Sequence, residues 1–225
     1  MWTRRAIAAE ARGFPVTGGA AEEIVALGPD LVLTSRYAFV VTRHTLARLG
    51  VRAEAFGTPA TLAESLGEVA RVGVLVGRPE RGRALVTAIR EAVARAAPPP
   101  GAPRLSALVF QGGGFASAPG TLMDEMLRRT GFDNAAARYG LERTGPVPLE
   151  RLLADPPDVL LAGQRRPGAP TWADRVLEHP ALRGLEGRVH RAVFPQRLLN
   201  CGGPVLIEAA AALARAREDA LARRT

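Results

Sequence analysis

Two stretches of the chain share one pattern of apolar and polar positions. The first covers 22–33 and the second covers 150–161. In each, apolar residues at helical spacing precede a Pro-Asp dipeptide, Pro29-Asp30 or Pro157-Asp158, and a short apolar run follows. Proline ends a helix because it cannot continue the hydrogen-bonded ladder and disfavours helical geometry in the residue before it. The pattern therefore predicts a helix, a tight turn and a buried strand, twice.

The similarity extends further along the chain. After each strand comes another helix and another strand, which end near Phe56 in the first copy and near Phe194 in the second. Strands that are apolar throughout, rather than alternating, indicate a parallel sheet that is covered on both faces. Two similar α/β lobes explain the duplication. A chance similarity is the alternative, since αβ repeats share such patterns generally.

Further helices are predicted between and after the two copies. One begins at Thr61, where Thr61 and Glu64 form a capping box, and another covers 79–97. The latter stops at the proline-rich stretch 98–103, which is the strongest break in the chain and the predicted junction between the lobes. Beyond it we expect a strand over 104–110, a glycine-rich loop, a helix over 120–130 and a final helix over 204–222.

Composition and charge argue against a nucleic-acid-binding function. The chain has 225 residues, 47% of them hydrophobic, which suffices for one large domain or two small lobes. The net charge is +8 and all 30 basic residues are arginine, but no basic run is interleaved with aromatic residues. A nucleic-acid-binding protein is therefore disfavoured, and steep salt dependence of DNA binding would be needed to support it.

The sequence also bears on the cellular compartment. A single cysteine excludes an intramolecular disulfide, and no apolar run approaches the ~20 residues that span a bilayer. No signal peptide is visible after Met1, which at face value indicates a cytosolic protein.

The candidate catalytic groups do not form a constellation. The run Gly112–Gly114 lacks the spacing of a nucleotide-binding loop, and the three histidines, His44, His179 and His190, lack metal-ligand spacing. Cys201 precedes a helix that would lower its thiol pKa, but with no histidine adjacent in sequence a small buried thiol is the preferred interpretation. The sequence therefore predicts a binding protein rather than an enzyme, without cofactor or metal.

Asp30 and Asp158 are the one apparent pair of carboxylates. Each stands at a turn that enters a strand, where aspartate commonly closes the turn. They would lie in different lobes, so we interpret them as turn residues and not as a general acid and base.

An ordered set of segments resembles the substrate-binding proteins of ABC importers for iron–siderophore, heme and cobalamin. No single segment is specific, but together they cover most of the chain. They are 21–33, 46–51, the long helix after 77–80, 117–122, 131–134, 148–150, 157–161 and 202–204.

The resemblance implies a fold and a role. The fold would be two Rossmann-like α/β lobes joined by one long helix, with a ligand cleft between them. Residues 1–77 would form an N-terminal lobe, 78–97 the connecting helix and 98–225 the C-terminal lobe. The protein would act in the periplasm as a monomer, with a metal chelate or corrinoid as ligand and the transmembrane subunits of an ABC permease as partners. It would be cytoplasmic if Met1 is the true start.

Two departures from the family pattern qualify these expectations. Family members begin with a further strand and helix and carry a secretion signal, and neither is visible in this sequence. We expect that the chain, and with it the N-terminal lobe, is incomplete. Family members dock on the permease through one surface glutamate in each lobe. The matching positions in this sequence are Val40 and Asn200, which have no carboxylate, so the resemblance does not identify the docking residues.

The family's ligand residues are also altered. Phe14 lies near the tyrosine that ligates heme, and Ser35, Ala55 and Leu198 lie near the aromatic residues of cobalamin binders. An iron chelate of the siderophore type therefore fits best, because arginine pairs well with carboxylate and catecholate oxygens.

The predicted ligand contacts come from the strand-end loops 35–38, 56–59, 111–117, 164–168 and 196–202. The residues named are Arg36, Tyr37, Phe56, Gln111, Phe115, Gln164, Arg165, Arg166, Arg197, Leu198 and Asn200. The alternative is a cytosolic two-lobed α/β enzyme, chelatase-like or transferase-like, which predicts a paired acid and base or a metal site in the cleft.

Overall fold

The chain forms two compact α/β units. The computed structural model describes residues 10–37, 40–111, 114–163, 180, 185, 187–198 and 202–224. The units are residues 1–57 and residues 58–225. The predicted α/β class is confirmed, since helices alternate with parallel strands in both. The finer division into a lobe, a connecting helix over 78–97 and a second lobe stays a prediction.

The secondary structure follows the predicted order. The helices of the described residues are α1 (Ala21–Ala26), α2 (Val40–Arg48), α3 (Leu62–Leu75), α4 (Pro79–Arg95), α5 (Leu122–Arg129), α6 (Leu149–Ala154) and α7 (Val205–Ala222). The strands are β1 (Val32–Ser35), β2 (Ala53–Phe56), β3 (Leu105–Phe110), β4 (Phe115–Ala116), β5 (Phe132–Asn134), β6 (Gly145–Pro146), β7 (Val159–Ala162) and β8 (His190–Val193). Short 3₁₀ turns occupy Ala135–Ala137 and Gln196–Leu198.

The sheet of the second unit has β3 near its centre. The strand order is β6-β4-β3-β7-β8, and β5 also pairs with β3. β3 runs parallel to β5 and β7 and antiparallel to β4. The sequence did not predict β4, β5 or β6, because strands of two or three residues carry no periodicity of their own.

The doubled pattern is confirmed as a structural repeat. In the first unit β1 pairs in parallel with β2, from Val32 opposite Ala53 onward. In the second unit β7 pairs in the same way with β8, from Val159 opposite His190 onward. The helix before each Pro-Asp turn is also present, as α1 and α6.

Burial differs between the two copies. In β7, Val159, Leu160 and Leu161 are at most 2% exposed, which confirms the prediction of a strand covered on both faces. For β1 the prediction of a strand covered on both faces is wrong, since Leu33 is 46% exposed. The reason is the thin packing of the first unit, where Ala21 and Leu46 are the buried hydrophobic residues among those described.

Two apolar clusters cover the two faces of the second unit's sheet. Alternate residues of β3 point to opposite faces, as strand geometry requires. Leu105, Ala107 and Val109 join a cluster with residues of α3, α4, α5 and α7. Leu108 and Phe110 join another with residues of α6 and of the 3₁₀ turn at Ala135–Ala137.

Helices α3 and α4 form a hairpin in the second unit. The Thr61 cap of α3 is confirmed, since Thr61 Oγ1 accepts from Glu64 N at 3.1 Å. The Glu64 carboxylate reaches back one residue further than a capping box predicts, and its Oε2 accepts from Ala60 N at 2.8 Å. Gly73 and Gly82 let the two backbones approach closely. None of the helices in the described ranges is long and apolar enough to cross a membrane.

Candidate functional site

The carboxyl ends of β1 and β2 lie together in the first unit. Such strand ends are the usual ligand-binding edge of an α/β sheet. Arg36 follows β1, and its backbone N donates to Phe56 O at 2.8 Å. The Arg36 side chain lies over Gly57, where an added Cβ would come within 3.1 Å of Arg36 Nε. Glycine at 57 therefore makes room for the guanidinium at this edge.

Three of the predicted contacts share this edge. Arg36 is exposed, Phe56 is half-buried and Tyr37 is 74% exposed, its backbone N bound to Ser35 Oγ at 3.1 Å. No carboxylate among the described residues pairs with the Arg36 guanidinium. The edge thus presents a cation and a phenol to solvent.

Gln111 and Phe115 lie at the carboxyl end of β3, in the second unit. Gln111 N donates to Phe115 O at 2.7 Å, and Gly114 N donates back to Gln111 O at 2.8 Å. Gly114 has a φ of 81°, which glycine adopts at no steric cost. β3 and β4 form an antiparallel hairpin, and Gly114 leads into β4 and not into a helix N-terminus, the element that would cradle a phosphate.

In the β3–β4 hairpin the Phe115 ring is partly exposed, whereas the side-chain amide of Gln111 is hydrogen-bonded. Phe115 is 43% exposed. Gln111 Nε2 donates to the hydroxyl of the buried Ser117 at 3.3 Å. The second unit thus offers an aromatic surface at its strand end, next to an amide that is already hydrogen-bonded.

A polar network fixes the loop that follows the hairpin. Asn134 Nδ2 donates to Ser117 O at 3.0 Å and to Asp124 Oδ1 at 3.1 Å, and Gly120 N donates to Asp124 Oδ2 at 3.0 Å. Asp124 is 6% exposed. The segments 117–122 and 131–134, which served in the sequence only as family markers, hold this loop to the start of α5.

Arg197 is held in an ion pair within the second unit, and Leu198 is buried. Both terminal nitrogens of Arg197 pair with the carboxylate of Glu208 on α7. The hydrogen bonds from Arg197 lower the pKa of Glu208, in spite of the opposing effect of burial. Leu198 is 1% exposed and packs in the core of the second unit. Both side chains therefore help to hold this loop, and the predicted ligand contact of Arg197 stays a prediction.

The remaining predicted contacts fall on other parts of the chain. Gln164, Arg165, Arg166 and Asn200 lie outside the described residues, as do Cys201 and His179. Their proposed roles stay predictions.

Sequence reasoning missed the role of the Gly202-Gly203 pair. Gly203 N donates to the buried Ser65 Oγ at 2.7 Å. A Cβ at Gly202 would stand 2.6 Å from the same oxygen. The glycine pair lets the chain before α7 rest on the first turn of α3, and the Gly-Gly-Pro motif is the signal in the sequence that marks this contact.

The turn aspartate Asp158 is held by structural contacts. Its Oδ2 accepts from Ser106 N at 2.6 Å and from Ser106 Oγ at 2.8 Å, and its Oδ1 pairs with Arg224. Burial would raise the pKa of Asp158, but these hydrogen bonds and the arginine charge together lower it. Asp158 joins β3, β7 and the end of α7, as expected for a turn residue and not for a catalytic acid.

His190 is the first residue of β8 and is half-buried. Burial, together with the positive charge of Arg223, lowers the pKa of His190. Both ring nitrogens are buried without a hydrogen-bond partner. Within the described ranges no group of three or more His, Cys, Asp or Glu side chains is placed to hold a metal ion.

Known proteins resemble the chain in sequence and in structure. A family model described as periplasmic binding protein matches residues 15–193. A periplasmic heme binding protein from Pseudomonas aeruginosa is 27% identical, with a TM-score of 0.65 over 88% of this chain and 75% of that one. No curated protein matches the chain.

Two further solved structures share the fold. BhuT, a periplasmic heme-binding protein solved with two hemes, is 23% identical, with a TM-score of 0.71 over 90% of this chain and 80% of that one. HutB of Vibrio cholerae, also a periplasmic heme binding protein, is 18% identical, with a TM-score of 0.67 over 87% and 79% of the two chains. Because the family model spans 15–193 of the 225 residues, the chain belongs to the periplasmic binding protein family.

Proposed function

We propose that the protein is the substrate-binding component of an ABC importer, and that it captures an iron-containing chelate in the periplasm and delivers it to the permease. Family membership supports the binding role, which makes and breaks no covalent bond. The observation that carries the ligand class is the exposure of Arg36 and Tyr37 side by side at the strand-end edge of the first unit.

The ligand is proposed to be a planar or aromatic anion. Guanidinium groups pair with carboxylates and with catecholate oxygens, and exposed aromatic rings stack on flat apolar surfaces. Heme propionates and ferric catecholates both meet this description. Arg197 contributes little to it, because Glu208 already neutralises that cation.

Heme is the first candidate within this class. Relatives of the same fold are described as heme-binding proteins. Phe14, near the expected position of the heme-ligating tyrosine, is 67% exposed and has no oxygen to offer iron. We propose Tyr37 as the phenol that takes this role, since it is exposed beside Arg36. A ferric siderophore is the second candidate and needs no protein ligand to the iron.

Titration with hemin, a ferric catecholate siderophore and cyanocobalamin tests the proposal. Binding is measured by thermal shift and by quenching of Trp2 or Trp172 fluorescence. A ligand at 100 times its dissociation constant should stabilise the fold by about 2.7 kcal/mol. A Soret band that changes in Tyr37→Phe would identify the phenol as the iron ligand. No stabilisation by any of the three compounds would falsify the proposal.

Substitution of Arg36 tests the contribution of the strand-end cation. Arg36→Ala should weaken binding of the anionic ligand by about tenfold or more, the usual consequence of losing a charge-assisted hydrogen bond. Arg81→Ala is the matched control, because Arg81 is also an exposed cation but lies on a helix, α4, and not directly after a strand. If Arg36→Ala and Arg81→Ala bind the ligand with equal affinity, Arg36 is not a ligand contact.

A further inference from the structure

The last turns of α7 pack against the edge of the second unit's sheet where β8 begins. Alternate residues of a strand share a face, so His190 and Ala192 of β8 lie on the same side of the sheet. Ala192 packs against the apolar cluster that includes Ala216 and Ala220 of α7. Val159, which is paired with His190 on the neighbouring strand, belongs to the same cluster. The imidazole of His190 therefore lies on the α7 side of the sheet, at the amino end of β8.

The imidazole of His190 is shielded from solvent without being hydrogen-bonded. Both Nδ1 and Nε2 are buried, and neither has a hydrogen-bond partner among the described residues. A neutral imidazole has one N–H and one lone pair to satisfy, and protonation adds a second N–H and a full positive charge. Burying an unpaired charge costs far more than burying an unpaired polar group. This position therefore accommodates the neutral ring and not the imidazolium.

The charged groups on the elements packed against the ring do not compensate for its burial. Burial lowers the pKa of His190 most; the charge of Arg223 on α7 lowers it further, and the opposing effect of Asp219 is smaller. β7 carries no titratable side chain. In the turn before β7, Asp158 is already paired with Arg224 and hydrogen-bonded to β3. An imidazolium at this position would therefore have no carboxylate of the described residues to itself.

We propose that His190 is an acid-sensitive switch, and that its protonation releases the last turns of α7, residues 216–222, from β8. Because both ring nitrogens are shielded in the closed arrangement, the imidazolium reaches water only when a packed element moves away. The end of α7 is the part held by the smallest apolar side chains. Its fully buried apolar residues are Ala216 and Ala220, whereas earlier turns of the helix bury Leu206 and Leu213. Segments with fewer buried apolar contacts open at a lower free energy.

The pH range of the switch follows from proton linkage. The released state binds a proton below the ordinary histidine pKa of 6.5, whereas the closed state resists protonation until its own, lower pKa. The closed state is therefore fully stable above pH 6.5 and loses stability as the pH falls through its lower pKa. One proton raises the opening equilibrium by at most about tenfold for each pH unit. Asp158, whose pKa lies below 3.8, titrates at lower pH and does not contribute here.

This inference does not depend on the proposed transport function. His190 lies at the amino end of β8, whereas the proposed ligand contacts follow the carboxyl ends of strands. The test therefore needs no ligand. Its failure would leave the proposed binding of an iron chelate untouched, and failure of chelate binding would leave the switch untouched.

Hydrogen exchange of the intact chain at pH 7 and pH 5, followed by mass spectrometry and corrected for the intrinsic exchange rate, is the experiment. Peptides from the end of α7 should lose protection at pH 5, by about tenfold or more, while peptides of α3 and α4 keep theirs. His190→Leu should abolish this acid response, because leucine does not titrate. His44→Gln, which removes an exposed histidine on α2, should leave the response unchanged.

Two charge variants test the switch without changing the ring. Asp219→Asn should enlarge the acid response, because it removes the charge that favours the imidazolium, and Arg223→Gln should reduce it. Circular dichroism at pH 7 confirms that each variant is folded. Equal protection of the α7 end at both pH values would overturn the inference, as would an acid response that persists in His190→Leu. Loss of protection throughout the second unit at pH 5 would also contradict it, because protonation would then unfold the unit and not release the helix end.

Discussion

At the scale of single residues, one carboxylate connects three elements of the second unit. Asp158 lies before β7, bonds to the backbone and hydroxyl of Ser106 on β3, and pairs with Arg224 after α7. The Pro-Asp pattern in the sequence predicts the turn, because proline and aspartate both favour it. It does not predict Ser106 or Arg224, which are 52 and 66 residues away in the chain.

The contacts of Asp158 should make stability depend on pH. The pKa of Asp158 is lowered in the folded state, so its contribution is present above the unfolded value of 3.8 and is lost as the pH falls through the folded pKa. Asp158→Asn should cost about 1 kcal/mol at pH 7 and should flatten the acid limb of the stability curve. Urea unfolding between pH 3 and pH 7 measures both effects.

A carboxylate on an exposed helix turn provides the control for this experiment. Glu80→Gln removes a charge whose side chain is 78% exposed and which pairs with Arg83. It should change stability by a few tenths of a kcal/mol only. If the Glu80 and Asp158 variants behave alike at every pH, the structural role given to Asp158 is incorrect.

At the scale of elements, the α3–α4 hairpin shows that glycines in the same pair of helices differ in their packing role. Helical periodicity and the Thr61 capping box predict both helices from the sequence, with boundaries within two residues of those observed. Periodicity does not reveal which of the three glycines within helices α3 and α4 make the crossing. Gly73 and Gly82 face each other, while Gly67 has nothing within 4 Å of its added Cβ.

Alanine substitutions should separate these glycines. Gly73→Ala places a Cβ 2.9 Å from Gly82 Cα and 3.1 Å from Arg78 O, both backbone atoms, and should destabilise the protein by about 1–3 kcal/mol. Gly67→Ala should stabilise it by about 0.5–1 kcal/mol, because alanine is the better helix former and space is free. Chemical denaturation of both variants measures the difference. Stabilisation by Gly73→Ala would show that the helices do not cross at this point.

At the scale of the whole molecule, the two units differ in how well they are packed. Both faces of the second unit's sheet are covered by apolar clusters. In the first unit the described residues include two buried hydrophobics, Ala21 and Leu46, and Leu33 of β1 is 46% exposed. Regions with few buried apolar contacts open at a lower free energy than well-packed cores.

Hydrogen exchange should therefore distinguish the units. Amides of β1 and β2 are expected to exchange faster, and with a smaller opening free energy, than amides of β3 and β7. Exchange followed by mass spectrometry on the intact chain resolves these peptides. Equal protection of β1 and β7 would contradict the packing difference.

The sequence by itself determined the local elements and the repeat. The Pro-Asp turns, the helices beginning at Thr61 and Pro79 and the parallel strands that follow the repeated pattern are confirmed, because short-range periodicity and proline chemistry specify them. It also indicated the binding-protein family, because the ordered segments carry that signal across most of the chain.

Only the tertiary structure decided which predicted side chains are open. Arg36 and Arg197 are both predicted from the sequence as ligand contacts. In the structure Arg36 is exposed over Gly57, whereas Arg197 forms an ion pair with Glu208. Leu198 is in the core and Phe115 is 43% exposed, although the sequence predicts both as strand-end contacts. Burial and pairing depend on residues far apart in the chain, and no local pattern encodes which distant partner a strand-end side chain meets.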